Sequence, residues 1–396
     1  MLTLVFFAIG ALLSIDSVLR FVLLVLRFTV GKPPPHPDAT LSGAIVLIAA
    51  HDEEGTIGPT VTSLIPHLAG WPGTELWVIA DRCNDGTAEE ARRCGANVAL
   101  RADGRIGKGA AVDWWLANFR DRWQEKSTIV LLDADSRLAS GSLRAVRNAI
   151  AGGATAAQAF VAPQAGIVAG RLAGWSEVLM QQIDDEARRR MRFSVPLRGT
   201  GSAIRANVLA ELSPRLHTFA EDLELDVLLA EQAAHVDFVP DAMVIDPKPR
   251  KAAGVSRQRS RWIQGQMQVL NDYWREVLRA LIGTRTGFRR AIGAWLLLPL
   301  LFLRPKIGLI ALRMFGLLAA LALSGVGGMR IPILVLSIAL VFDFLYYAAG
   351  AFIIEDRRTY LKDLMSAPGY AAIWVYSIGV AVVRRSRSGW LRAGRD

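Results

Sequence analysis

The chain has 396 residues, 52% of them hydrophobic, and carries 46 Lys and Arg against 36 Asp and Glu for a net charge of +10. That apolar content exceeds an ordinary soluble domain yet leaves enough polar sequence for one sizeable globular unit, so membrane segments plus one domain is the organisation expected. Much of the positive excess sits beside the apolar segments, which assigns it to topology and anionic lipid and excludes a nucleic-acid surface.

The first apolar segment runs from Leu2 to about Val30, interrupted by Asp16 and Arg20. At about 1.5 Å of rise per residue it is long enough to cross a hydrocarbon core. It exceeds the apolar core of a signal peptide, and no small-residue cleavage pattern precedes Gly31, so residues 1–30 read as a retained anchor. Residues 31–42 follow as a linker, stiffened by Lys32-Pro-Pro-Pro-His36.

Residues 43–250 read as alternating strands and helices. Ala44-Ile-Val-Leu-Ile-Ala49 is a short β-branched run, after which Ile57, Val61, Leu64, Ile65 and Leu68 recur at helical spacing. Leu76-Trp-Val-Ile79 precedes a helix near Ala88 to Cys94, Val98-Ala-Leu100 precedes one near Lys108 to Phe119, and Ile129-Val-Leu-Leu132 follows. Such alternation predicts an α/β domain with a largely parallel sheet covered by helices on both faces. Cys83 and Cys94 have neither metal-ligand spacing nor a disulfide framework and read as reduced and structural.

Ligands of open α/β sheets gather at the carboxyl ends of the strands, and the acidic residues follow that rule. His51-Asp-Glu-Glu54 follows the first strand, Asp81-Arg-Cys-Asn-Asp-Gly-Thr87 the second, and Asp133-Ala-Asp135 the strand ending at Leu132. Asp85 is equally a turn and helix cap. Asp133 and Asp135 lie on the same side of an extended segment, spaced to share an oxygen-seeking cation such as Mg2+ or Mn2+, with Lys108 available as a phosphate counter-charge. Gly199-Thr-Gly-Ser202 predicts a tight turn bordering an acceptor. Glu221-Asp222 opens a helix, where acids favour the helix dipole and where a general base could also stand. Gln258-Arg-Ser-Arg-Trp262 combines an amide, two guanidiniums and an indole, suited to a diphosphate and to stacking, and equally to an amphipathic helix at a membrane surface.

Beyond this, residues 251–306 hold that segment and interfacial helices, and 307–383 a membrane region. Candidate spans run from Ile307 to Leu323 and Ile331 to Ile354, flanked by weaker segments Trp295 to Leu303 and Tyr370 to Val383. With the N-terminal anchor this predicts three or four spans. Arg285, Arg289 and Arg290, and Arg384, Arg385 and Arg387 in the basic tail 384–396, place this end on the cytoplasmic side. Asp16, Arg20, Arg313 and Asp343 are the main ionisable residues of the apolar segments, too few for a transporter; Asp343 calls for a partner on a neighbouring helix.

Taken in order, these motifs resemble the inverting family 2 glycosyltransferases of GT-A fold, in the membrane-integrated branch of cellulose, hyaluronan and chitin-oligosaccharide synthases. The resemblance covers residues about 43 to 270. It implies a UDP-sugar donor, with Asp81 on the uracil, Asp133 supporting the diphosphate, Asp135 on the Mg2+ or Mn2+, and Glu53 and Lys108 as further donor-site residues. Asp222 would be the catalytic base, with Gly201, Ser202 and Glu221 on the acceptor side. Gln258, Arg261 and Trp262 match the Q-x-x-R-W signature of processive members, Gln258 and Arg261 holding the diphosphate and Trp262 stacking on the acceptor sugar. Ala80 replaces the first of two adjacent acids, His51-Asp52 stands where Tyr-Asn is usual, and Ala220 replaces the Thr of Thr-Glu-Asp.

The function expected on this basis is a processive β-polysaccharide synthase in a bacterial inner membrane, its catalytic domain cytoplasmic, with export or assembly subunits as further partners. One-step transfer to a lipid-linked acceptor in exopolysaccharide assembly uses the same carboxylates. A non-catalytic nucleotide sensor or scaffold would lack a base or a metal ligand, and neither is missing.

Overall fold

The computed structural model of the protein describes residues 2–124, 126–248, 252–282, 288–302, 306–325 and 328–383. The basic tail 384–396, Arg285 and the Arg304-Pro305 break lie outside them.

Eight strands form one sheet: β1 (Ala44–Ala50), β2 (Glu75–Asp81), β3 (Asn97–Arg101), β4 (Thr128–Leu132), β5 (Arg137–Leu138), β6 (Ala156–Gln164), β7 (Ser202–Arg205) and β8 (Val236–Pro247). Their order is β3-β2-β1-β4-β7-β6-β8-β5. The half β3-β2-β1-β4 is parallel, as is β6 with β8, while β7 and β5 run antiparallel to their neighbours. The parallel half is the half that alternation with helices predicts. The inserted β7 begins at Ser202, where the sequence suggested a turn.

Strand chemistry explains why this half is central. In β1, Ile45 and Leu47 point into one core with Trp77, Ile79, Ile129 and Leu131, whereas Val46 and Ile48 point into the other with Leu76, Val78, Val130 and Leu132. A strand buried on both faces needs an unbroken apolar run, which is what β1 and β4 supply. The first core is covered by helices Lys108–Asn118, Glu221–Glu231 and Ala252–Ile282, the second by Glu54–Leu64 and Ser142–Ala151. The polar loops that follow β1, β2 and β4 are thereby left together at one edge of the sheet.

Apolar helices flank the sheet domain: Leu2–Thr29 before it, and Phe288–Phe302, Lys306–Ala322, Arg330–Ile353 and Ala367–Val383 after it. Among the described residues two helices, Thr3–Thr29 and Arg330–Ile353, are long and apolar enough to cross a membrane, and a third span results if Ala291–Phe302 and Lys306–Ala322 form one bent unit. Lys306–Ala322 and Ala367–Val383 have 17 residues each. Both fall short of the roughly 20 residues a straight crossing requires. Among the described residues two spans, or three with the bent pair, stand against the three or four expected, and the segment from Ile307 is too short to be one by itself.

Arg313, Asp16 and Asp343, buried charges on three of these helices, pair with one another. Arg313, 0% exposed, donates to Asp16 Oδ1 at 2.6 Å and to the Leu13 carbonyl, and its second amino group lies 2.9 Å from Asp343 Oδ2. Ser17 donates to Asp343 Oδ1 at 2.9 Å, so the partner that Asp343 required is Arg313. Arg20 pairs with Asp184 of the sheet domain, and the Tyr346 hydroxyl donates to the same carboxylate at 3.0 Å. Breaking one partner of a buried ion pair leaves an uncompensated charge at a cost of about 3–5 kcal/mol. Arg313→Met should accordingly unfold at clearly lower denaturant in mixed micelles; an unchanged midpoint would show that the network contributes nothing to stability.

Candidate active site

A cavity of about 1280 Å3 opens at the rim where β1, β2 and β4 end. Glu53, Asp81, Lys108, Asp133, Asp135, Glu221, Asp222, Gln258, Arg261 and Trp262 all line it. Residues up to about 200 positions apart in sequence are thus brought to one place by strand ends and two helix starts.

The first two loops are zipped together. The Asn84 N–H donates to Asp52 Oδ1 at 2.6 Å, the Gly86 N–H to Glu54 Oε2 at 3.1 Å, and the Glu53 N–H to Thr87 Oγ1 at 2.8 Å. Glu53 Oε2 accepts from Thr56 at 2.6 Å. Asp85 accepts from the Thr87 N–H and hydroxyl just ahead of the helix Thr87–Arg93, whose N-cap position is Gly86. Burial opposes its charge, yet the bonds from Thr87 and from the Glu54 N–H hold this carboxyl below its usual range. Asp81, the last residue of β2, accepts from Arg101 at 2.7 Å and from Arg82 at 3.0 and 2.5 Å. Arg82 takes φ +52° to place its guanidinium there. Asp52, Cys83 and Asp85 also stand close enough to share a metal ion, but at the zipped loops rather than at Asp133-Ala-Asp135.

Lys108 organises the centre. Its helix starts directly after Gly107, at φ +126°. The ammonium donates to Asp133 Oδ1 at 2.6 Å and to the Gly199 carbonyl at 2.6 Å, and lies 3.8 Å from Glu221 Oε1. Burial disfavours its charge, but Asp133 and Glu221 outweigh that and hold the ammonium above its ordinary pKa. Thr200 closes the same turn over the acidic loop, accepting from the Asp133 N–H at 3.2 Å and sharing a 2.8 Å hydrogen bond with Ser136.

The turn corrects one expectation. Gly199 and Thr200 line the cavity, whereas Gly201 and Ser202 do not. Gly201 sits at φ +68°, where an added Cβ would come within 2.7 Å of Val244, and the Ser202 hydroxyl donates to Gln158 Oε1 at 2.7 Å. Both are committed to packing β7 between β4 and β6, because β7 begins immediately after the turn.

Glu221 and Asp222 open the helix Glu221–Glu231. Ala220 before them touches Gly265 of the helix Ala252–Ile282 so closely that an added Cβ on Gly265 would lie 2.6 Å from the Ala220 Cβ. The Thr usual at position 220 would need that space, so the Ala here belongs to a close helix–loop contact. That helix carries Gln258, Arg261 and Trp262 onto the cavity wall. Sequence reading gave no role to Arg198, Glu177, Asp246 or Lys248, which also line it, as does Arg259, read there as one of two guanidiniums suited to a diphosphate. Lys248 bridges Glu177 at 2.5 Å and Asp246 at 2.7 Å, and Arg198 pairs with Asp185. No local motif marks the first four; Arg259 stood within the basic-aromatic segment.

Three observations from known proteins bear on this geometry. The family model described as glycosyltransferase like family 2 matches residues 42–265. The chain belongs to this glycosyltransferase family. Among solved structures, the glycosyltransferase is similar to the mannosyltransferase PcManGT from Pyrobaculum calidifontis, in complex with GDP-Man and Mn2+, at 15% identity and a TM-score of 0.57 over 96% of this chain and 98% of that one. Lesser likenesses are to mannosyl-3-phosphoglycerate synthase from Rubrobacter xylanophilus (15% identity, TM-score 0.39, 59% and 75% of the two chains) and to glucosyl-3-phosphoglycerate synthase from Mycobacterium tuberculosis (18%, 0.36, 57% and 82%). At these identities the first likeness concerns the fold, a GT-A-like sheet domain. No curated protein matches the chain in sequence.

Glu221 carries a pH signature. Burial raises its pKa, Lys108 pulls it down, and Asp222 and Asp133 push it up again, leaving it at about 7 against an ordinary 4.5. Between those values the folded protein holds a proton that the unfolded chain has lost, so stability falls as pH rises through this window and levels off above it. Glu221→Gln should flatten the decline of the thermal midpoint between pH 5 and 7 in metal-free protein. Parallel pH profiles for the two proteins would refute the assignment.

Proposed function

We propose that the protein is a membrane-bound inverting glycosyltransferase that moves a sugar from a UDP-sugar to a lipid-linked acceptor lying at the bilayer surface. One observation carries this reading: the cavity holding Asp133, Asp135, Glu221 and Asp222 continues without a break to Ile307, Ile310, Leu340 and Phe344 of the apolar helices. A polar reaction site that opens onto apolar helix walls suits an acceptor with a sugar or phosphate head and a hydrocarbon tail.

In this reading Asp222 takes the proton of the acceptor hydroxyl as it attacks the anomeric carbon from the face opposite the leaving diphosphate. Glu53, Asp81, Lys108, Gln258 and Arg261 hold the donor, Lys108 supplying charge for the departing phosphates. Glu221, Gly199 and Thr200 border the acceptor, and Trp262 offers an indole face to a sugar ring. Asp133 and Asp135 present carboxylate oxygens on the cavity wall, a donor set that fits Mg2+ or Mn2+, with Asp135 as the principal ligand. Such a cation, when bound, neutralises charge developing on the diphosphate. Mn2+ in the mannosyltransferase PcManGT complex supports this choice. A bacterial inner membrane, with the sheet domain on the cytoplasmic face, is the setting proposed.

A processive β-glycan synthase is the second reading, favoured by Gln258, Arg261 and Trp262 standing together on the cavity wall. Among the described residues two helices, or three with the bent pair, qualify as spans that such a synthase would use.

Release of UDP from a panel of UDP-sugars by the purified full-length protein, with Mg2+ or Mn2+, tests the chemistry. Asp222→Asn should lower turnover by about 100-fold or more while leaving UDP binding in place. Asp135→Ala should instead weaken metal-dependent UDP binding, and metal dependence equal to wild type would remove it from the cation site. Lipid extracts that gain a single sugar support the lipid-acceptor enzyme; a ladder of products supports the synthase.

A further inference from the structure

Arg259 is a buried charge held by aromatic rings and by no close ion pair among the described residues. It is 4% exposed and lines the cavity, yet among the described residues no carboxylate lies within ion-pair distance of it, and its Nε has no hydrogen-bond partner. Glu177 acts on it only beyond ion-pair distance, since that carboxylate is bound by Lys248 at 2.5 Å. What holds the guanidinium is aromatic: its carbon lies 4.6 Å from the Trp262 ring centroid and 4.8 Å from that of Trp374, with Tyr370 at 6.0 Å. These faces fix the group's orientation through cation–π attraction but leave its N–H donors unspent.

Burying an unpaired guanidinium is costly, and an isolated buried charge in a folded protein calls for a ligand that completes it. Its surroundings describe that ligand. Tyr370 and Trp374 belong to an apolar cluster with Leu172, Ala173 and Ile263, against which Ile307 packs. Farther along the same cavity the Lys306 amino group, 7% exposed, also lacks a hydrogen-bond partner and sits 3.1 Å over the Tyr346 ring. An anion entering along these apolar walls therefore meets the buried Arg259 guanidinium, with the Lys306 amino group farther along.

We infer that Arg259, clamped between Trp262 and Trp374, is a binding subsite for the phosphate of an amphiphilic acceptor whose hydrocarbon chain lies against the apolar cluster. This deepens the lipid-acceptor reading and rests on it. Arg259 is thereby separated from Gln258 and Arg261, which face the donor. A planar guanidinium with five N–H donors matches phosphate oxygens in a way a lysine does only in part.

The test uses the full-length protein in phosphatidylcholine nanodiscs, with dodecyl phosphate, dodecanol, inorganic phosphate and UDP as probes and tryptophan fluorescence as a readout beside equilibrium binding. Dodecyl phosphate should bind wild type and perturb the fluorescence, and Arg259→Gln should weaken it by about tenfold or more, a charge-assisted bond's worth. Arg259→Lys should recover part of that loss, and UDP affinity should stay within about twofold in both variants, which also shows that they are folded. Three results overturn the inference: Arg259→Gln binds dodecyl phosphate as wild type does, dodecanol binds as tightly as dodecyl phosphate, or UDP affinity falls in step, which would assign the guanidinium to the donor diphosphate. Equal competition by inorganic phosphate would replace the amphiphile with free phosphate and likewise overturn it. Should UDP release fail with every sugar while Arg259-dependent binding persists, the transferase chemistry falls and the anion subsite stands.

Discussion

One ammonium holds the site together. Lys108 reaches an aspartate after β4, a backbone carbonyl in the turn before β7 and a glutamate at the head of a helix, three segments far apart in sequence. Without a cation at this point Asp133, Glu221 and Asp222 would be like charges sharing a poorly solvated space, and such charges push one another apart or take up protons. The desolvation that Lys108 undergoes is offset by those same carboxylates. Cation and acids thus stabilise one another's ionised forms, and the antiparallel strand β7 is held beside the parallel half at the point where ligands of such sheets bind.

A second constraint is spatial. The loop ahead of Glu221 and the long helix Ala252–Ile282 meet through Ala220 and Gly265, with almost no side chain between them. Small residues on both sides let the helix bring Gln258, Arg261 and Trp262 beside the acids at the start of the helix Glu221–Glu231. The departure at position 220 from the usual Thr is therefore a packing exchange between two segments and leaves both acids in place.

The parallel half of the fold was legible because its signal is local: β1 and β4 are unbroken apolar runs, and the acids stand directly after them. Asp81, Asp133 and Asp135 could be placed at the sheet edge by their position at strand ends, and Lys108, Glu221 and Asp222 at helix starts. What stayed hidden depends on distant partners. Ser202 looks like the end of a turn until β4 and β6 are seen on either side of it, and nothing near Asp343 in sequence announces Arg313. Lys248 with Glu177, and Arg198 with Asp185, likewise acquire meaning only when the chain has folded back on itself. Arg259 was visible, but its lack of a carboxylate partner is a property of the assembled cavity.

Asp184 and Asp185 are neighbours on a single turn of π-helix, Met180–Asp185. The first is gripped from the anchor side by Arg20 and Tyr346, the second from the catalytic side by Arg188 and Arg198, and Arg198 directly precedes the Gly199 that Lys108 binds. Two adjacent carboxylates thus couple the N-terminal helix to the reaction centre with no flexible joint between them. The catalytic floor can neither rise nor sink relative to the anchor without separating buried ion pairs. The height of the cavity floor relative to the N-terminal helix is thereby set by buried ion pairs.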